Sequence, residues 1–157
     1  MRNGELTMTI LAISEAKNKL TSLRREALTG KEILLDDAKR KDNQPVSLIS
    51  TELLDELCDS KLFSFQWVDV PGENQEEYSL WNVETGIYGV GKTKPEAADD
   101  FIDNISDYTA VYFNDLPYYH SRSGNTYGHY WYLRRILRCN GDRETLYKVL
   151  GLKELID

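Results

Sequence analysis

Long apolar runs are absent from this sequence. Its longest apolar stretches are about five residues, against the ~20 that a membrane-crossing helix needs. The first residues carry no apolar h-region and no small-residue cleavage site, so no secretory leader is expected. Cysteine is scarce. Cys58 and Cys139 stand far apart without CxxC spacing, which argues against a disulfide framework or a thiolate metal site and predicts two free buried thiols. His120 and His129 have no metal-ligand spacing and no nucleophile motif beside them. Positive charge is also in short supply. With a formal net charge of −7, the chain as a whole is no general binder of nucleic acid. No internal repeat or low-complexity tract is present.

What remains is the composition of a globular protein: 157 residues, 29% charged and 41% hydrophobic, enough for one ordinary domain or two small ones. The charge is unevenly placed. Residues 1–58 carry nine Lys/Arg against ten Asp/Glu, a net of −1, and residues 59–157 carry ten against sixteen, a net of −6. Any site for DNA must therefore be a local patch in the first third, while the acidic remainder suits a basic partner or a plain solvated surface.

The first third reads as β-α-β-β-α. Thr7–Ile13 is β-rich. Ala16, Leu20, Leu23, Ala27 and Leu28 then recur at spacings of three and four, one apolar helical stripe, with Ser14 as its N-cap and Gly30 as its stop. Residues 31–37 and 45–50 read as a hairpin around a charged turn. Thr51 is expected to cap a second helix carrying Leu53, Leu54 and Leu57. Beyond residue 60, strands are expected at 62–70, 78–83 and 87–90. Thr93, Pro95 and Glu96 form a helix start with a capping box, and the helix runs to about Asn114. Leu116–Gly128 reads as a loop, followed by helices from His129 to Arg138 and from Arg143 to Leu150.

Four groups of residues could carry chemistry. Lys17 and Asn18 sit near the start of the first helix, where free N–H groups favour phosphate, and Asn can pair with adenine. Lys39, Arg40 and Lys41 form a cationic turn flanked by Asp36, Asp37 and Asp42. Taken alone, each of these clusters is more simply a solvated face or a polar hairpin tip. Gly86–Thr93 (GIYGVGKT) fits the phosphate-binding expression G-x-x-x-x-G-K-T, so a P-loop-like nucleotide-binding protein or small hydrolase using Lys92 and Thr93 is the alternative reading. Its strand-like Ile87, Tyr88 and Val90, and the helix start only after Thr93, speak against a wrapped loop. Tyr118, Tyr119, Tyr127, Tyr130, Trp131 and Tyr132, with His120, Arg122 and His129, could stack single-stranded bases or face a partner, but an aromatic core explains them more simply.

The run from Ile13 to Leu57 resembles the Phd/YefM antitoxins. The matching stretches are Ile13-Ser14-Glu15-Ala16-Lys17-Asn18-Lys19-Leu20, Gly30 and Pro45-Val46-Ser47-Leu48-Ile49. This resemblance implies a homodimer that binds a palindromic operator. It also implies DNA contacts from Lys17 and Arg40, with Lys39 and Lys41 as neighbours. Lys17 stands where the family usually has Arg, which forfeits bidentate guanine reading. Gly91-Lys92-Thr93-Lys94-Pro95-Glu96-Ala97 is similar to the strand-to-helix junction of HicB-like ββα domains. The run from His129 to Leu152 resembles the Tyr-rich ending of some antitoxins of the first family.

These readings converge on an α+β chain. Residues 1–58 would form a Phd/YefM-like dimerisation and DNA-binding domain, and residues 61–157 an α+β toxin-interaction domain with a small antiparallel sheet and helices. The expected protein is a cytoplasmic antitoxin and autorepressor, not an enzyme. It forms a homodimer or higher oligomer, needs no cofactor or metal, and takes a cognate toxin (a ribonuclease) and operator DNA as partners. Its DNA-binding residues would be Lys17, Asn18, Lys39, Arg40 and Lys41.

Overall fold

The computed structural model describes residues 8–37, 44–69, 77–121 and 125–157. Two compact units are present, Met1–Leu57 and Cys58–Asp157. Among the described residues the chain is mixed α+β, with seven α-helices and two three-stranded sheets.

In the first unit, β1 (Thr9–Ala12) passes directly into α1 (Ile13–Leu28), and β2 (Ile33–Asp36) and β3 (Val46–Leu48) follow. β1 and β2 are parallel, with Thr9 opposite Ile33 and Ala12 opposite Asp36. Parallel neighbours need a long crossover, which the 16-residue α1 supplies. β2 and β3 form the expected antiparallel pair, Ile33 opposite Leu48 and Leu35 opposite Val46.

Three local expectations need correction. The N-cap of α1 is Ala12, still extended at φ −66° and ψ 143°, and not Ser14, which lies inside the helix. No side chain caps this end, because the strand turns into the helix without a connecting loop. The cap of α2 (Thr51–Asp59) is supplied by Ser50 and not by Thr51: Leu53 N–H donates to Ser50 Oγ over 3.2 Å. The apolar stripe of α1 is only half covered. Ala16, Leu23 and Ala27 are buried with Ile33, but Leu20 is 60% exposed and Leu28 58%. The Gly30 stop is present, at φ +88°, where a side chain would be strained.

The second unit is built on an antiparallel sheet of β4 (Phe65–Asp69), β5 (Tyr78–Asn82) and β6 (Tyr88–Gly91), in that order. Asn82 holds the β5–β6 turn. Its Oδ1 accepts from the Thr85 N–H and hydroxyl, and its Nδ2 donates to the Ser64 carbonyl and the Glu84 carboxylate. α3 (Lys94–Asn114) lies across one face of the sheet and starts with the expected Thr93/Glu96 capping box. Phe101, Ile102, Ile105 and Tyr112 from α3 are fully or almost fully buried with Leu80 and Leu133. Emptying one such aromatic site costs ~3–5 kcal/mol.

The stretch 116–128 is not a loop. It holds α4 (Leu116–Ser121) and a 3₁₀ turn (Asn125–Gly128). Its Tyr, Ser and Gly content suits a loop, but Tyr119 stacks on the buried Tyr112 at 4.8 Å, and tertiary packing overrides that composition. α5 (His129–Arg138) and α6 (Arg143–Leu150) stand where expected. A further α7 (Lys153–Ile156) follows the left-handed Gly151. Both cysteines are free and buried.

Candidate functional site

Lys17 and Asn18 lie exposed on α1. Because α1 begins at Ile13, they fall in its second turn and not its first. The first-turn N–H groups therefore sit nearer Glu15, whose carboxylate holds Lys19 Nζ at 2.6 Å. Glu15 already answers the positive end of the helix dipole, which weakens that terminus as a phosphate site. Successive helical residues diverge by about 100°. Lys17 thus shares a helix face with Ile13, Leu20 and Arg24, at spacings of four, three and four, while Asn18 points well away from it. Ile13 is 52% exposed, so two cations and two uncovered apolar side chains share one surface. Lys39, Arg40 and Lys41 lie outside the described residues.

The parallel register adds a relation that the sequence does not reveal. Ala12, the last residue of β1, pairs with Asp36, the last of β2. The chain therefore enters α1, and departs toward residues 38–43, from the same end of the sheet.

In the second unit, the phosphate-loop expression has a different explanation. Gly89 and Gly91 belong to β6, in extended chain under α3. A Cβ on Gly89 would stand 2.2 Å from Phe101 N and 2.3 Å from Ala97 O, and one on Gly91 2.4 Å from Ala97 N. Close strand-to-helix packing, not a phosphate cradle, requires these glycines. The Lys92 and Thr93 amides donate to the Glu96 carboxylate over 2.9 and 3.2 Å. An anion arriving at this helix start would meet a carboxylate already in place. Among the described residues, no group of three His, Cys, Asp or Glu side chains could hold a metal ion, and no helix is long and apolar enough to cross a membrane.

A family model covers nearly all of this architecture. Residues 8–151 match the PHD_like family, described as antitoxin of toxin-antitoxin, RelE / RelB, TA system. The chain belongs to this antitoxin family. A solved structure with a similar fold is an antitoxin part of a toxin/antitoxin system from Syntrophomonas wolfei subsp. wolfei. It is 14% identical, and the match covers 88% of this chain and 94% of that one with a TM-score of 0.66. At that identity the likeness is one of fold. No curated protein sequence matches the chain.

The aromatic group of this antitoxin packs around interior residues: Tyr119, Tyr130, Trp131 and Tyr132 are half-buried, and Tyr112 and His129 lie beneath them. Tyr112 is fully buried, and its hydroxyl donates to the Thr126 carbonyl over 2.8 Å. His129 is buried with Nδ1 2.8 Å from the Tyr108 hydroxyl. Burial pushes the His129 pKa down, opposed by the Glu84 backbone, and pushes Tyr108 up to about 12. Both shifts favour neutral rings, which suits a structural pair. Tyr118 and Tyr127 remain largely exposed, at 44% and 56%, and Tyr127 packs on His120 at 4.7 Å. The group is thus a core with two aromatic edges at the surface and not an open stacking platform.

Proposed function

We infer that this antitoxin is a homodimeric operator-binding repressor of the Phd/YefM kind, whose first unit meets DNA and whose acidic second unit neutralises a basic toxin, a ribonuclease. The observation that carries the DNA reading is the parallel β1–β2 register, with Ala12 beside Asp36. It starts α1, with Lys17 and Asn18, at the sheet end from which the chain leaves toward Lys39, Arg40 and Lys41. Lys17 and the Lys39–Lys41 cluster, more than twenty positions apart in the chain, can then serve one phosphate-lined surface, with Asn18 on the neighbouring helix face. The dimer reading rests on the small core of the first unit. Among the described residues, only Ala16, Leu23, Ala27 and Ile33 form its buried cluster, while Ile10, Ile13, Leu20 and Leu28 are each more than half exposed. A fold of this size gains by covering those side chains with a second copy. The HicB-like reading of the ββα junction in the second unit belongs to this proposal, and the Thr93–Glu96 capping box supports it.

The test is retardation of a fragment from upstream of the chain's own reading frame by the full-length protein, over a salt series. Specific, salt-sensitive retardation is the expected result. Equal affinity for that fragment and for unrelated DNA would defeat the repressor reading.

A further inference from the structure

The two edges of the second sheet are not alike. On the outer edge of β6, the Val90 N–H donates to Asp100 Oδ2 over 2.8 Å and the Tyr88 carbonyl accepts from Asn104 Nδ2 over 2.9 Å. Two side chains of α3 thus occupy the groups that another strand would need. Among the described residues, the outer edge of β4 has no such cover. The Val83 N–H donates to the Ser64 carbonyl, and with Phe65 opposite Asn82 this turns Ser64, Gln66 and Val68 toward β5 and the backbones of Phe65 and Trp67 outward. Among the described residues, β5 is the only strand paired with β4. Edge strands are commonly blunted by Lys, Pro or a bulge, and Phe65–Asp69 contains none of these.

The sheet face turned away from α3 is apolar beside that edge. Val68, Trp81, Val83 and Tyr88 are 38–55% exposed, and Trp81 lies 6.4 Å from Tyr88. A shallow cavity of about 250 Å³ opens between Gln66, Trp81, Val83 and Gly86. Neither β4 nor β5 carries Lys or Arg, and Glu77 and Glu84 bracket β5. The nearby Lys94 ammonium sits over the Trp67 ring at 5.4 Å.

We propose that the toxin docks by adding an extended segment to the open edge of β4, with its alternate side chains on the Val68–Trp81–Val83 face and basic residues opposite the flanking carboxylates. Main-chain pairing supplies the register and the aromatic face supplies the anchor. Charge selects the occupant. A second copy would bring its own Glu77 and Glu84 to the seam, whereas a basic protein complements them. The proposal rests on the toxin-neutralising reading above.

The test uses the full-length antitoxin and the purified basic protein encoded by the reading frame next to its own. Hydrogen exchange at the Phe65 and Trp67 amides should slow about tenfold or more on complex formation, with the Val90 amide unchanged. Gln66→Lys and Val68→Lys should each weaken the complex by about tenfold or more while leaving the melting temperature unchanged. A complex that forms with unprotected Phe65 and Trp67 amides overturns the β4 assignment and leaves toxin neutralisation standing. Protection that grows with antitoxin concentration alone assigns the edge to a second copy and also overturns it. Absence of any complex removes the neutralising reading and the docking proposal with it.

Discussion

The Tyr108 hydroxyl on α3 and His129 Nδ1 at the start of α5 lie 2.8 Å apart, joining two helices of the second unit through a buried contact. Burial lowers the His129 pKa, so the fold favours the neutral ring. As pH falls, the unfolded chain takes up the proton first. The stability tied to His129 is therefore complete above about pH 6.5 and is lost as pH falls through the lower folded value. Melting temperature should decline on the acid side, and less steeply for His129→Gln. Equal acid-side slopes for the two proteins would refute this role.

Two tyrosines make the opposite prediction at alkaline pH. Tyr108 and Tyr147 are each pushed up to about 12, first by burial. For Tyr147 the Asp99 carboxylate adds to this, accepting from its hydroxyl over 2.7 Å. The neutral phenol is favoured in the fold. Its stabilising contribution is present below about pH 10 and is lost as pH rises toward the folded value. Ultraviolet titration of phenolate should show a late class of tyrosines that Tyr108→Phe and Tyr147→Phe diminish. Titration of every tyrosine near the free value contradicts the assignment.

Gly89→Ala should cost ~1–3 kcal/mol or more, since the new Cβ meets backbone atoms of Phe101 and Ala97 that cannot swing aside. Gly86→Ala, with no neighbour within 4 Å but φ +72°, should cost only ~1 kcal/mol from backbone strain. Denaturant midpoints separate the two. Indistinguishable midpoints would mean that close helix approach is not what requires Gly89.

Lys17→Ala and Arg40→Ala should each weaken binding to operator and unrelated sequences alike, and each should reduce the salt slope by about 1. Asn18→Ala should instead relax base preference and leave the slope unchanged. Filter-binding titrations at several salt concentrations give both quantities. An unaltered slope in the Lys17→Ala, Arg40→Ala double variant removes this face from the DNA interface.

Leu20→Glu should separate the subunits. Leu20 is 60% exposed and borders the buried stripe of Ala16, Leu23 and Ala27, so a carboxylate there faces water in a monomer but apolar surface in a dimer. Sedimentation should show one mass for the variant and twice that mass for the parent. A parent that sediments as a monomer at high concentration contradicts dimerisation through this helix.

Much of the secondary structure was legible from local pattern. The helical period of α1, the Thr93–Glu96 capping box and the helix stop at Gly30 are set by residues within a few positions of one another, and the structure keeps each. The errors occurred where distant residues decide. Tyr119 turns an apparent loop into α4 by stacking on Tyr112. Leu20 and Leu28 fit the helical period but find no cover within the chain. For the proposed DNA face, residue type and position offered Lys17 and Asn18 as candidates, but not the second-turn placement that leaves Glu15 at the helix start.

By itself, then, the sequence determined the α+β class, the order of the elements outside residues 116–128 and 153–156, and the uneven charge, because periodicity, capping and composition are local or additive. It could also propose that α1 carries cations at an exposed face. Only the tertiary structure decided that Ala12 lies beside Asp36, and so which sheet end gathers the start of α1 and the exit toward Lys39. It alone showed that Asp100 and Asn104 close the β6 edge while, among the described residues, the β4 edge stays unpaired. The β1–β2 pairing and the cover of the β6 edge join residues ten or more positions apart through backbone groups that every residue carries. No side-chain pattern along the chain records those pairings.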